Sequence, residues 1–97
     1  PSGGGGNPPD ITAPDTHIDQ APKRVRSRRA TIKFSSSESG SSFECRLDGK
    51  GFSSCGSPTT LKRLKRGKHS FDVRATDAAG NVDATPARAT FRVRKRR

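Results

Sequence analysis

The sequence predicts an all-β protein built as a two-sheet β-sandwich. Short segments alternate between apolar and polar residues, which is the pattern of strands with one buried face. Turn-forming residues separate these segments and leave about six or seven strands, as in small sandwiches. A helical period appears only in a brief basic stretch at 61–64. The chain has 97 residues and is therefore expected to fold as one domain.

The chain divides into a linker, a folded module and a short tail. Residues 1–10 are rich in glycine and proline and too poor in apolar groups to fold, which predicts a flexible linker. Residues 11–94 carry the strand pattern and are predicted to form the sandwich, while 95–97 form a basic tail. No apolar stretch is long enough for a signal peptide or a membrane span. We therefore expect a fragment or processed piece of a longer protein, without insertion into a membrane, and its export has to be inferred from other features.

The first segments of the module predict one edge strand and one half-buried strand. Residues 11–18 suit an extended edge strand, because an edge tolerates a proline such as Pro14. Residues 20–24 are predicted to turn. From 30 to 34 apolar residues alternate with polar ones, which predicts a half-buried strand, and a polar loop follows over 35–42.

A β-hairpin is predicted over residues 43–52. Phe43, Cys45 and Leu47 fall on one face of its first strand, and a polar turn that contains glycine follows. Phe52 is then expected to return to the core. Because the chain has no Trp, Tyr or Met, its five phenylalanines must supply most of the apolar volume, and we expect all of them to face inward.

The second half of the module predicts three further strand segments. Residues 59–64 are expected to form a short strand or crossing segment, and 65–68 a turn. Alternation over 69–76 and again over 87–93 predicts two longer strands. The turn between them offers a carboxylate that can accept local amide hydrogen bonds and a glycine that tolerates positive φ. Its turn-forming residues are Asp77, Gly80 and Asn81.

Two cysteines in a short chain favour a disulfide over a metal site. Cys45 and Cys55 flank the predicted hairpin, and adjacent strands can bring two Cα atoms within the roughly 7 Å that a bridge requires. The histidines His17 and His69 could complete a zinc set, but the C-x-x-C and H-x-x-x-H spacings of zinc sites are absent. Free thiols are the remaining alternative. A disulfide would indicate an oxidising, extracellular setting.

The chain is strongly basic, with a formal net charge of +11. Such a field attracts polyanions, which include anionic cell-wall polymers, glycans, nucleic acid and anionic membrane surfaces. The alternative interpretation is that the cations only keep a sparsely apolar domain soluble, and that their arginine content reflects a GC-rich genome. If a binding site exists, its expected contacts are Arg24, Arg26, Arg28, Arg29, Lys62, Arg63, Lys65, Arg66 and Lys68.

No catalytic set converges in the sequence, so we expect no enzyme activity and no cofactor. The serines concentrate in predicted turns and edges, and His17 and His69 are expected at the surface or rim, without the partners that nucleophilic catalysis needs. Calcium is an alternative, because aspartates of the leader and of the late turn could meet at one end of the sandwich. The residues concerned are Asp10, Asp15, Asp77, Asn81 and Asp83. Calcium-loop spacing is absent, and we expect no metal.

Several motifs carry a resemblance to a known family. They are Phe43-Glu-Cys45-Arg-Leu-Asp-Gly49, Phe52-x-x-Cys55-x-Ser-Pro58, Val73-Arg-Ala-x-Asp77-Ala-Ala-Gly-Asn81 and Asp83-x-Thr-Pro86-Ala87. Together they resemble the bacterial immunoglobulin-like domains of secreted and surface proteins, notably those of actinobacteria. The resemblance spans residues 10–94. It implies an immunoglobulin-like or fibronectin type III-like sandwich with a Cys45–Cys55 bridge, and it implies no single activity.

The combined expectation is a non-catalytic extracellular module of a larger exported or cell-surface protein. It would act as a spacer or interaction domain beside the neighbouring domains of its parent chain, with a basic surface that binds anionic cell-wall polymers or glycans. One alternative is an accessory domain of a secreted hydrolase. Another is a nucleic-acid-binding domain. Its binding would be nonspecific because exposed aromatics and a groove-entering helix are lacking, and it would be weakened by salt because it would depend on contacts between cations and phosphates.

Overall fold

In a computed structural model, which describes residues 12–94, the chain forms eight β-strands, and those residues contain no helix. The strands are β1 (Thr16–Gln20), β2 (Arg24–Val25), β3 (Ala30–Ser36), β4 (Ser42–Leu47), β5 (Ser53–Cys55), β6 (Thr59–Leu61), β7 (Gly67–Thr76) and β8 (Ala87–Val93). The described residues accordingly offer no helix that could cross a membrane. The predicted linker at 1–10 and the basic tail at 95–97 lie outside the described residues.

The strands form two sheets that pack face to face. The smaller sheet has the order β1-β3-β6, and the larger sheet has the order β2-β8-β7-β4-β5. Neighbouring strands are antiparallel except for β2, which pairs parallel to β8. The prediction of an all-β architecture with two sheets is confirmed.

The core fills the space between the sheets with alternate residues of the strands. Ile32 and Phe34 of β3 face Phe71 and Val73 of β7, and all four are buried. The Phe34 ring lies 6.2 Å from that of Phe71 and 4.9 Å from that of Phe43, in an edge contact with the latter. Each large apolar side chain buried in this way contributes about 1.5–3 kcal/mol. Alternation in the sequence therefore identified the inward faces of the longer strands.

A disulfide joins Cys45 of β4 to Cys55 of β5, with 5.8 Å between the two Cα atoms. The β4–β5 ladder pairs Cys45 with Ser53 and Cys55 with Phe43, so the bond runs diagonally across the hairpin. The predicted bridge is confirmed, and the alternatives of a zinc site and of free thiols are wrong. Such a bridge points to an oxidising, non-cytoplasmic setting.

The sequence bounds of several elements differ from the prediction. Residues 20–24 were expected to turn, but Arg24 begins a two-residue strand, because backbone hydrogen bonds tie this segment to β8 and Val25 packs on the core. The first edge strand starts only at Thr16. The long strand β7 starts at Gly67, inside the predicted turn at 65–68, and Gly67 has a φ of 122° that favours glycine.

Contrary to the prediction, Phe52 does not return to the core. Its ring lies on the outer face of the larger sheet, with the guanidinium of Arg74 at 3.9 Å and that of Arg46 at 4.5 Å from the ring centroid. The physical reason is strand alternation: Ser53 pairs with the inward-facing Cys45, so the preceding residue faces outward. The ring is stabilised there by two cation–π contacts instead of by burial.

Candidate functional site

The strand order gathers most cations at one end of the sandwich, which we call the basic end. At this end β2, β6 and β8 finish while β3 and β7 begin, as the pairings of Ala30 with Leu61 and of Gly67 with Val93 show. Every cation predicted as a contact lies in a segment that enters or leaves these strands. The cations of the basic end are Lys23, Arg24, Arg26, Arg28, Arg29, Lys50, Lys62, Arg63, Lys65, Arg66, Lys68, Arg92 and Arg94.

The carboxylates are distributed in the opposite way. Among the described residues, Asp48 is the only carboxylate at the basic end. The opposite end, which we call the far end, is fixed by the pairings of Thr16 with Ser36 and of Ser42 with Thr76. Its carboxylates are Asp15, Glu38, Asp77 and Asp83. The folded part of the chain therefore carries most of its positive charge at one end and much of its negative charge at the other.

Four of the predicted contacts form a compact group, which we call the loop cluster. Arg28, Arg29, Lys62 and Arg63 line an open hollow of about 670 Å³. The two loops are held together by Arg28, whose Nε donates to the Leu64 carbonyl at 2.8 Å and whose carbonyl accepts from the Leu64 amide at 3.0 Å. The cluster is therefore built on fixed backbone positions, and its four cationic side chains are exposed, a suitable arrangement for oxyanion contacts.

The other predicted contacts spread over the remainder of the basic end. Arg26, Lys65 and Arg66 are exposed in the connecting segments. Arg24 and Lys68 belong to the outer face of the larger sheet, where they flank Arg92 of β8. Sequence reasoning did not place Arg92 or Lys23 in the site, because their neighbours come from strands far away in the chain.

His69 is buried, although the sequence was interpreted as placing it at the surface or rim. Its Nδ1 lies 2.7 Å from a carboxylate oxygen of Asp48 and its Nε2 lies 2.6 Å from the Lys65 carbonyl oxygen. The ring stacks on Phe91 with 5.5 Å between centroids. The strand β7 begins earlier than predicted, and this places His69 on the inward face of an established ladder.

Hydrogen bonding shifts the titration of both members of this pair. The Lys65 carbonyl raises the pKa of His69, burial acts against that rise, and the Asp48 carboxylate adds to it. Burial would raise the pKa of Asp48, but the hydrogen bonds from His69 and from the Ser70 amide outweigh burial and lower it. Both nitrogens of the ring face acceptors, so the imidazolium form satisfies the site best.

A buried carboxylate on the larger sheet is neutralised by two arginines. Asp72 is only 2% exposed, and its oxygens accept from Nε of Arg88 and from Nε of Arg46, each at 2.7 Å. The hydrogen bond from Arg88 is the main cause that lowers the pKa of Asp72, and burial works in the opposite direction. This arrangement stabilises the sheet and leaves Asp72 without an open side for acid–base chemistry.

The far-end carboxylates are used by the fold as well. Asp83 accepts from the amide and hydroxyl of Thr16 and from those of Thr85. Burial would raise the pKa of Asp83, but these hydrogen bonds outweigh it and lower it. Asp77 accepts from the amides of Ala79 and Asn81 within its own turn. In residues 12–94 no three His, Cys, Asp or Glu side chains are grouped so that they could hold a metal.

The chemistry available to this arrangement is the binding of anions. In the described residues both ring nitrogens of His69 are occupied by Asp48 and by a carbonyl, so this histidine is not paired with a serine nucleophile.

The comparisons with known proteins add no assignment: neither the protein-family models nor the curated proteins yield a match to this chain.

Proposed function

We propose that this chain is a non-catalytic, immunoglobulin-like module of an exported protein, and that its basic end binds anionic cell-wall polymers or glycans. In this role it separates neighbouring domains of its parent chain and attaches them to an anionic matrix. The binding is electrostatic, with arginine and lysine groups in contact with the oxyanions of the polymer.

The immunoglobulin-like assignment is supported by topology and by sequence resemblance. Two sheets of three and five strands enclose one core, and the chain crosses between the sheets several times. The motifs that resemble the bacterial immunoglobulin-like family lie in the bridged hairpin and in the turn after β7. The disulfide supports export, because such bonds persist in oxidising compartments.

The observation that carries the binding proposal is the segregation of charge. Thirteen cations lie at the basic end, which contains only the carboxylate of Asp48 among the described residues, and that carboxylate is occupied by His69 and the Ser70 amide. A surface arranged only for solubility would intersperse both signs of charge. One-sided clustering focuses the field and draws polyanions to this end.

An extracellular polymer fits the site better than nucleic acid does. Base stacking needs exposed aromatic faces. Phe34, Phe71 and Phe91 are buried, Phe43 packs against Phe34, and Phe52 lies against two guanidinium groups. The cations can contact phosphates, so nucleic acid is retained as a comparison ligand in the test.

Charge removal at the loop cluster tests the proposal. The double variant Arg29→Gln/Lys62→Gln removes two positive charges from side chains that are exposed. We expect its affinity for a heparin-derived octasaccharide to fall by about tenfold or more, because each charged contact contributes about 1.5–3 kcal/mol at best. The slope of log affinity against log salt should fall by about two, since two counterion-releasing contacts are lost.

A far-end variant provides the matched control. Ser39→Glu/Ala84→Glu adds two negative charges at exposed far-end positions and so changes the net charge equally. It should retain most of the affinity. Equal losses in the two variants would show that only net charge matters and would overturn the proposed site, whereas a duplex DNA of equal charge that binds more tightly than the glycan would favour the nucleic-acid function.

A further inference from the structure

The outer face of the larger sheet carries a line of three cations, which we call the cationic row. Arg24 of β2 is in register with Arg92 of β8, and Arg92 is in register with Lys68 of β7. All three side chains are exposed on the same face. Neighbouring strands are roughly 4.8 Å apart, so like charges face each other at short range.

Elsewhere on the same face the sheet arranges its charges differently. Arg88 of β8, Asp72 of β7 and Arg46 of β4 form a second line across the strands, which we call the acid-centred row. The buried carboxylate of Asp72 lies between the two guanidinium groups and bonds to both. Opposite charges in direct register stabilise a sheet, and like charges in direct register destabilise it.

The cationic row lacks an internal counter-charge in the part of the chain that the structure describes. None of its three members forms an ion pair with another residue in 12–94. Asp48 borders a hollow that Lys68 also lines, but its oxygens bond to His69 and to the Ser70 amide. Any negative charge that balances the row therefore comes from outside the described residues.

The surface beside the row has room for a ligand group. A hollow of about 290 Å³ is lined by Lys23, Lys68, Thr90, Phe91 and Arg92. This volume lies near the lower end of small-ligand sites. It offers two ammonium groups, a guanidinium fork and a hydroxyl, which are the donors that a tetrahedral oxyanion uses.

We propose that the cationic row is a binding site for the sulfate or phosphate ester groups of an anionic polymer, which supply the negative charge that Asp72 supplies in the acid-centred row. The proposal rests on the proposed function and extends it by assigning the ligand chemistry and the direction of the polymer. The polymer crosses the strands from β7 to β2, so that successive ester groups meet Lys68, Arg92 and Arg24.

The decisive variant copies the acid-centred row into the cationic row. Arg92→Asp gives the sheet a carboxylate between Arg24 and Lys68, while Arg92→Asn has the same shape without the charge. Without ligand, we expect the Arg92→Asp variant to unfold at a higher temperature than the Arg92→Asn variant, because an opposite charge then separates two cations. An equal or lower unfolding temperature would overturn the claim that the row lacks a counter-charge.

Binding is measured with three polymers that have the same total negative charge but different chemistry: a heparin octasaccharide, poly(glycerol phosphate) and polyglutamate. Relative to the far-end control Ser39→Glu/Ala84→Glu, we expect Arg92→Asp to lose about tenfold more affinity for the first, the second or both. That result supports the site and shows whether it accepts sulfate esters, phosphate esters or both. An equal proportional loss for polyglutamate would overturn the assignment to ester groups.

Failure of this site can be told apart from failure of the proposed function. If Arg92→Asp loses no more affinity than the far-end control while Arg29→Gln/Lys62→Gln loses tenfold, the row is not a site and the loop cluster alone binds. If neither variant differs from the control, the proposed function is wrong, and the inference drawn from it is wrong as well.

Discussion

At the scale of single residues, His69 links three elements of the basic end. One ring nitrogen forms a hydrogen bond with the Asp48 carboxylate in the β4–β5 turn. The other forms a hydrogen bond with the Lys65 carbonyl in the segment before β7. The ring also stacks on Phe91 of β8. Only the doubly protonated ring can donate to both acceptors, so the protonation state of one buried side chain controls how firmly a basic segment is attached.

The free energy of unfolding should therefore depend on pH through His69. The pKa of His69 is raised in the folded state above the value of about 6.5 in the unfolded chain. Its contribution is then fully present below about pH 6.5 and is lost as the pH rises through the folded-state pKa. Urea unfolding between about pH 5.5 and 8.5 should show this decline in the native protein.

Substitution isolates this contribution from other titrating groups. The variant His69→Gln should lose the decline, while His17→Gln, which alters an exposed histidine of β1, should keep it. A native protein that becomes more stable from pH 6 to 8 would contradict the assignment.

Asp72 gives a second prediction at the same scale. Removing its charge in Asp72→Asn leaves Arg46 and Arg88 facing each other and should cost about 1–3 kcal/mol of unfolding free energy. The matched variant Glu44→Gln breaks a more exposed pair with Arg74 and should cost less than about 1 kcal/mol. Chemical denaturation measures both, and equal costs would show that burial of Asp72 adds nothing.

At the scale of elements, the bridged hairpin of β4 and β5 holds a short edge strand. β5 has only three residues and, among the described strands, pairs only with β4, so few hydrogen bonds attach it. The Cys45–Cys55 bond therefore supplies much of its attachment. Double substitution of both cysteines by alanine should lower the free energy of unfolding by about 2–3 kcal/mol.

Reduction provides the control for the hairpin prediction. Dithiothreitol should destabilise the native protein by a similar amount and should leave the alanine double variant unchanged. If the reductant leaves the unfolding curve of the native protein unchanged, the bridge does not contribute to its stability.

The strands also show which parts of the fold could be predicted from the sequence. Strands β3, β7 and β8 are long enough for alternation to identify their inward faces, and the hairpin was visible from its turn. The strand β2 was missed because two residues have no period, and its partner β8 lies far away in sequence. The outward position of Phe52 was missed because it depends on the register of β5 against β4.

The candidate site was predictable to the same extent. Clusters of arginine and lysine were evident in the sequence, but composition does not say which clusters meet. The approach of Arg28 to Lys62 follows from the pairing of Ala30 with Leu61, and the position of Arg92 follows from its pairing with Lys68. Both pairings are long-range, so neither leaves a local signal.

At the scale of the whole molecule, the separation of charge gives the proposed binding a direction. The basic end should make the contact while the far end points away from the polymer. Titration with a heparin octasaccharide should shift the amide resonances of Arg29, Lys62 and Arg92 and leave those of Asn81 and Thr85 near their free positions. High salt should abolish the shifts, because exposed charges are screened over about 10 Å or less.

Equal shifts at both ends in that titration would contradict a directed contact. Shifts confined to the loop cluster would be consistent with the proposed function but would exclude the cationic row from the contact.

The opposed positions of β1 and β8 have a mechanical consequence. The described chain starts at the far end, runs into β1, and leaves the basic end after β8. Tension applied through Thr12 and Arg94 therefore acts along the strands, and perpendicular ladder bonds then share the load in shear instead of breaking one after another. A domain pulled between a tethered surface and a moving neighbour would resist extension through the β1–β3 and β7–β8 ladders.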